Sequence, residues 1–333
     1  MAKGGDDTMP FSSTSQEEMF RADPDATPSR CLGPLAAMGA ADEPERSPVK
    51  RRTGVAQRSE RELLDDLRRA IEEPGQLRLD YQPRIDLQTN RCVAAEALLR
   101  WRHPLLGLLS PARFIPLVEN LPLIVPLTEW VIEAAMAFAA ERVKSDPEFR
   151  LSLNIAPLNL TEGYFIGRLV EALGRHSIDP ARLELEFTEG TAISDSTRTR
   201  RQLEQIRRLG MRVCIDDFGA GYSNLTYFRH VPADLIKIDR ALVGTVGEDA
   251  ASDTVVKWIV GLAHELRLRV VAEGIDNSQR SAALSRWGCD EGQGFAFAKP
   301  MAGARLATWI AQFNALADAE GPVVRARLFK TRS

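Results

Sequence analysis

From Ser59 to Glu73 the apolar residues Leu63, Leu64, Leu67, Ala70 and Ile71 recur at helical spacing, with Glu and Arg filling the other face. This predicts an amphipathic helix, capped by Ser59 and stopped at Pro74-Gly75. Leu77 to Tyr81 then alternates as a strand. Beyond it, short strand-like runs follow at Cys92–Leu99, Leu151–Ile155, Leu183–Phe187, Arg212–Ile215, Leu235–Ile238, Val270–Ala272 and Gly294–Ala298. Helical patterns lie between most of them, at Thr128–Lys144, Gly163–Arg175, Thr197–Leu209, Ala251–Glu265 and Asn277–Trp287. About eight such units over roughly 250 residues is the size of a (β/α)8 barrel. An open doubly wound sheet also alternates strand and helix, but it gathers ligands at one switch point. No GxGxxG or P-loop signature is present. Residues 1–57 have neither period and are rich in Gly, Pro, Ser and Asp, so they are expected to form a disordered tail. The barrel is assigned to 58–318 and a short C-terminal tail to 319–333.

Polar residues interrupt this pattern at regular places. Asn154, Glu186, Asp216, Asp239 and Glu273 fall at C-terminal strand ends, and Glu96 breaks the run Val93–Leu99. In a barrel the βα loops converge at those ends, which is where chemistry sits. Gathered carboxylates repel: two like charges about 4 Å apart cost roughly 4 kcal/mol at an effective dielectric near 20. A multivalent cation relieves this, so the pattern points to a metal site.

The residues differ in weight. Asp216-Asp217 is the strongest local signal, because adjacent Asp residues after Val213-Cys214-Ile215 have no packing purpose. The Gly-punctuated stretch Phe218–Ser223 suits a moving loop. Glu96 reads equally well as a strand-end Glu paired with Arg100 or Arg102, and Asn154 alone reads as a turn cap. Lys237 and Asp239 alternate with apolar residues and face together, which fits either a plain ion pair or a Lys that organises a water. Glu184 and Glu186 share one strand face. Glu273 could bind metal or take a proton from water. Hard oxygen donors with one Lys point to two Mg²⁺ or Mn²⁺ ions and to hydrolysis of a phosphodiester.

Composition narrows the classes. Net charge is -3, so bulk charge gives no reason to expect a nucleic-acid polymer or an anionic membrane as partner. No run of 18 apolar residues exists, and the N-terminus lacks the apolar core of a secretory signal. A cytoplasmic protein is expected. Cys31, Cys92, Cys214 and Cys289 form no CxxC pair and read as reduced thiols; the wrong spacing and only four His argue against a zinc site. The basic run Pro48–Arg52 reads as a solvated tail, or as a docking segment for a protein partner or anionic lipid.

At this point the motifs resemble a family. Tyr81-Gln82-Pro83, Glu96-Ala97-Leu98-Leu99-Arg100-Trp101, Phe114-Ile115-Pro116, Asp216-Asp217-Phe218-Gly219, Lys237-Ile238-Asp239-Arg240, Val271-Ala272-Glu273-Gly274 and Gly288–Gly294 occur in the order found in EAL-domain phosphodiesterases. These enzymes open cyclic di-GMP to linear pGpG. The resemblance runs from about Glu62 to Met301 and implies a TIM-like barrel with one irregular strand. It implies two metals on Glu96, Asn154, Glu186, Asp216 and Asp217, with Glu273 as ligand or general base. It makes Lys237 the residue that orients the attacking water. Glu189 would anchor the loop from Phe218 to Asn224, which in the family also links the site to dimer contacts, so a homodimer is expected. Arg100 would meet a substrate phosphate, Gln82 and Gln293 would lie near the substrate, and Asp239 would support the site. Departures from the pattern are Asp276 for a usual Glu, Ala156 for a usual Ser, and Asn120-Leu121-Pro122 at the substrate rim. They raise a second reading, a cyclic di-GMP receptor or protein-interaction module without catalysis. No Gly-Gly-Asp-Glu-Phe cyclase signature is present.

Overall fold

The structure, a computed structural model, describes residues 58–192, 197–220 and 231–320. The expected tail, Cys31, the basic run Pro48–Arg52 and the loop residues 221–224 lie outside the described residues.

The chain opens with α1 (Glu60–Glu72). Its capping box is complete: Ser59 Oγ accepts from the Glu62 amide, and the Glu62 carboxylate accepts from the Ser59 amide. Leu63, Leu67 and Ala70 are its buried apolar residues. After a turn through Gly75, β1 (Leu77–Asp86) and β2 (Cys92–His103) pair as an antiparallel ribbon. The connection from Leu87 to Arg91 is too short for a parallel crossover, which needs a dozen residues or more. β1 is therefore the irregular strand.

From β2 onward the strands run parallel: β4 (Arg150–Asn154), β5 (Leu183–Thr188), β6 (Arg212–Phe218), β7 (Leu235–Ile238), β8 (Arg269–Ala272) and β9 (Glu291–Gln293). β9 then pairs antiparallel with β1, and eight strands close. Two short strands attach outside this ring, β3 (Gly107–Leu109) on β2 and β10 (Met301–Ala302) on β1. The outer helices are α2 (Ile115–Val118), α3 (Ile124–Ser145), α4 (Pro157–Thr161), α5 (Phe165–His176), α6 (Glu189–Ala192), α7 (Thr197–Arg208), α8 (Arg240–Val243), α9 (Ala250–Glu265), α10 (Ser278–Arg286) and α11 (Gly303–Glu320). The main core lies between strands and helices: Leu151, Leu153, Leu185, Phe187, Val213, Ile215, Ile236 and Ile238 point outward into it.

One expected strand is misplaced. Gly294–Ala298 turns, and the strand is Glu291–Gln293. A Cβ on Gly294 would fall 2.1 Å from the Ile275 carbonyl oxygen, so the backbones touch there and the chain must bend away. The alternation of Phe295 and Phe297 belongs to this turn, which the Phe297 amide closes on Gly294 O at 3.1 Å. Cys92, Cys214 and Cys289 are buried free thiols. Among the described residues no helix is long and apolar enough to cross a membrane.

Candidate active site

Strand alternation sends every second side chain into the barrel. Gln82 and Glu96 are register partners across β1 and β2, and Asn154 and Glu186 across β4 and β5. Lys237 reaches the same level from β7, Glu273 from just beyond β8, and Gln293 from β9. The result is one continuous polar network. Asn154 Nδ2 donates to Glu96 Oε1 at 2.7 Å, and Gln293 Nε2 donates to Glu96 Oε2 at 2.7 Å and to Gln82 Oε1 at 3.1 Å. Lys237 Nζ stands among four carboxylates, at 2.6 Å from Glu273, 3.0 Å from Glu186, 3.2 Å from Asp216 and 3.4 Å from Glu96.

Asp216 and Asp217 are neighbours in sequence, so a regular strand would aim them to opposite faces. The register of β6 against β7 shifts between Ile215 and Phe218, and Asp217 adopts a left-handed backbone at φ 55°. Asp tolerates that region better than most residues because its short side chain bonds locally. The kink brings both carboxylates to one side. Oxygen atoms of Asp216, Asp217 and Glu273 all lie within 4.8 Å of one another.

Charge in this group is unbalanced. Burial pushes the Glu273 carboxyl up to about 7, with Asp216 and Glu96 adding and Lys237 opposing. Burial pushes Glu186 well above the usual carboxylate range, again against Lys237 and reinforced by Glu96, Asp216 and Glu273. Burial, Asp216 and Asp239 raise Asp217. Burial also opposes ionisation of Glu96, yet Lys237 and the amides of Gln293 and Asn154 hold its carboxyl below the usual range. Desolvation works against the Lys237 ammonium, and the surrounding carboxylates, Glu186 first, overcome it and raise its pKa. One ammonium cannot neutralise this set. Glu186 Oε1 is buried without a hydrogen-bond partner among the described residues. These oxygens fit a hard divalent cation, and Asp216, Asp217, Glu273, Glu186, Glu96 and the Asn154 carbonyl are the groups that would hold it.

Other expected site residues stand apart from the network. Asp239 caps α8 by accepting from the Ala241 amide at 2.8 Å, while its charge acts on Asp217. Glu189, at the start of α6, accepts from the Gly219 amide at 3.3 Å, so it meets the first residues of the β6–β7 loop. Arg100 touches no site carboxylate; it donates to Leu99 O at 2.8 Å and lies 3.3 Å from Asp80. Asp276, itself exposed, pairs with the buried Arg280 and accepts from Asn277. Ala156 precedes α4 without a side-chain cap. Beside Asn154 and Glu186 opens a cavity of about 380 Å³, lined mostly by apolar residues such as Leu99, Ile115, Leu127 and Ile155.

A second charged layer lies deeper in the barrel. Arg84 bridges Glu184 and Glu291, and Arg150 donates to the same two carboxylates at 2.8 Å each. Cys214, Leu235 and Val271 form a thin apolar layer, each two residues below a site side chain or its level. Glu184 was visible in sequence as a companion of Glu186. The rest was missed, although Arg84 stands two residues from Gln82, Glu291 two from Gln293, and Arg150 four from Asn154 on the same strand face.

Comparison with known proteins follows the same lines. Residues 64–300 match the EAL domain. The cyclic di-GMP phosphodiesterase PA2567 of Pseudomonas aeruginosa is 42% identical over 248 residues, covering 74% of this chain and 42% of that protein. The bifunctional diguanylate cyclase/cyclic di-GMP phosphodiesterase MucR of the same organism is 38% identical over 251 residues, covering 75% of this chain and 36% of that protein. The chain thus spans less than half the length of these curated relatives. A solved structure of the MucR phosphodiesterase in complex with c-di-GMP superposes with a TM-score of 0.70 at 37% identity, covering 74% of this chain and 99% of that one. With an eight-stranded ring in which β1 alone runs antiparallel to its neighbours, and with its ring of strand-end carboxylates, this chain belongs to the EAL domain family.

Proposed function

We propose that this chain is a metal-dependent phosphodiesterase that hydrolyses cyclic di-GMP to linear pGpG. The observation that carries the reading is the convergence of Glu96, Asn154, Glu186, Asp216, Asp217 and Glu273 around Lys237. The names of the phosphodiesterases it resembles support the substrate.

A pair of Mg²⁺ or Mn²⁺ ions, when bound, would make water acidic and stabilise charge on the phosphoryl oxygens. Glu273 is the group placed to take a proton at Oε1, where it now faces Lys237 Nζ. Lys237 keeps the carboxylates together at the bottom of the mouth and positions the attacking water. Asn154 and Gln293 fix Glu96 from both sides, so its two oxygens have defined directions. Gln82 and Gln293 form the wall against which the nucleotide lies. Glu189 holds the loop at Gly219. The cavity beside Asn154 has room and apolar character for a nucleobase. The protein acts in the cytoplasm as a homodimer.

The test is product analysis by ion-pair chromatography after incubation with cyclic di-GMP and Mg²⁺ or Mn²⁺. Linear pGpG should form only with metal, and Glu96→Ala should lower its rate at least a hundredfold. Nucleotide that is bound but left intact by the unmutated protein would make the chain a receptor instead.

A further inference from the structure

The inner face of the β1–β2 ribbon continues above the carboxylates. Gln82 pairs with Glu96, Asp80 with Leu98, and Arg78 with Arg100 in the antiparallel register. Asp80, only 7% exposed, sits between the two arginines. Its carboxylate is 3.3 Å from Arg100 Nε, and 3.4 Å from both Arg78 Nε and Nη2. The family resemblance already gives Arg100 a substrate phosphate. We propose that Asp80 is a positioning residue that tethers Arg100 and adds Arg78 beside it, making a two-guanidinium seat for the second phosphate of the cyclic dinucleotide. This deepens the proposed function and rests on it for the identity of the substrate.

Three observations carry the inference. First, two guanidiniums share one carboxylate, so the cluster keeps a net positive charge. All three contacts are longer than the 2.7–2.9 Å usual for a charge-assisted bond. Each arginine has five N–H donors, and Arg100 spends one more on Leu99 O. Donors remain for an anion. Second, the mouth below is acidic: among the described residues Lys237 is the one cation paired with Glu96, Glu186, Asp216 and Glu273. A substrate with two phosphodiester anions can bring one to a metal-loaded floor; the other needs a cation on the wall. Third, the spacing fits. Strand rise is about 3.4 Å per residue, so the Asp80–Leu98 row lies about 7 Å above the Gln82–Glu96 row. The two phosphates sit on opposite edges of one small ring, a separation of that order. A mere clip between strands is not needed here, because β1 and β2 already pair from Leu77 to Ile85.

The experiment compares two substrates on the full chain with Mn²⁺: cyclic di-GMP, and bis(p-nitrophenyl) phosphate, which has a single phosphate. Arg78→Ala should raise KM for cyclic di-GMP about tenfold, about 1.4 kcal/mol, with kcat within twofold. The ratio of kcat/KM between the two substrates should fall about tenfold. Asp80→Asn, which keeps the shape and removes the tether, should lower the same ratio at least threefold. Equal losses on both substrates would mean that the triad is only structural and would overturn the proposal. A lower KM for Asp80→Asn would overturn the positioning role. If the unmutated protein binds cyclic di-GMP without cleaving it, the enzyme reading fails by itself. The seat is then read from affinity, and an unchanged Kd in Arg78→Ala would sink it.

Discussion

At the scale of single residues, Lys237 decides how the site behaves without metal. It is 1% exposed and faces four carboxylates, so it is their shared counter-charge. Removing one partner of a buried ion group strands the others, at a cost of about 3–5 kcal/mol. Lys237→Met should therefore lower the melting temperature of the metal-free protein by roughly 10 °C, using 2–4 °C per kcal/mol for a domain of this size. Mg²⁺ should recover a larger share of that loss than it adds to the unmutated protein, because the freed carboxylates lose their competitor. Calorimetry with and without Mg²⁺ measures both, and an unchanged melting temperature would show that Lys237 is not the counter-charge. Its place among strand-end carboxylates was legible in the sequence, since Ile236-Lys237-Ile238-Asp239 alternates. The convergence of Asp216 with Asp217 was not. Two adjacent Asp were visible, but the left-handed backbone at Asp217 depends on the bulge against β7.

At the scale of elements, the inner faces of β4, β5 and β9 are polar where a barrel usually packs branched aliphatic residues, and Cys214, Leu235 and Val271 on β6 to β8 keep an apolar layer among the described residues. β5 shows the design most plainly: Glu184 and Glu186 both point inward, one into the deep arginine layer and one into the site. The deep layer should set acid stability. Burial works against the Glu291 carboxylate, but Arg84 and Arg150 hold it down to about 2, and Glu184 is likewise lowered. A carboxyl near 4.5 when unfolded and near 2 when folded means that the unfolded chain binds more protons between those values. Its contribution is thus present above pH 4.5 and is lost as pH falls toward 2, on the order of 3 kcal/mol for Glu291. Glu291→Gln should destabilise the protein at pH 7, because Arg84 stays buried with less compensation. It should also flatten the loss of stability between pH 5 and pH 2. Urea midpoints across that range check both effects, and parallel curves for the two proteins would rule the network out as the cause. The boundaries of most strands and helices followed from periodicity. Glu291–Gln293 did not, because two residues of a three-residue strand are charged or polar and Gly294 turns on a backbone contact with Ile275.

At the scale of the whole barrel, the deep charged layer is balanced by its own arginines, whereas the upper one is not, and that difference predicts that a bound divalent cation stabilises the fold. Repeating strand and helix units made the barrel legible, and strand-end carboxylates marked the mouth where the candidate site lies. The polar filling below was hidden because an isolated Arg or Glu in a strand reads as a surface residue until the ring closes. The upper layer predicts how stability couples to pH. Burial and mutual repulsion raise Glu186, Glu273 and Asp217, Glu273 to about 7. A raised carboxyl binds protons in the folded state that the unfolded chain has already released. Metal-free protein should therefore lose stability as pH rises from about 4.5 through about 7. Divalent cations compete with those protons, so their effect must run the other way. At a concentration one hundred times Kd, binding adds about 2.7 kcal/mol, or roughly 5–10 °C in melting temperature. The shift should be largest at pH 8 and should shrink by at least half at pH 6 at the same Mg²⁺ concentration, since protonated Glu273 and Glu186 no longer ligate. Excess chelator should abolish it at every pH. A metal-induced shift of equal size at pH 6 and pH 8 would mean that the raised carboxyls are not ligands, and the ligand set would then reduce to Glu96, Asn154 and Asp216.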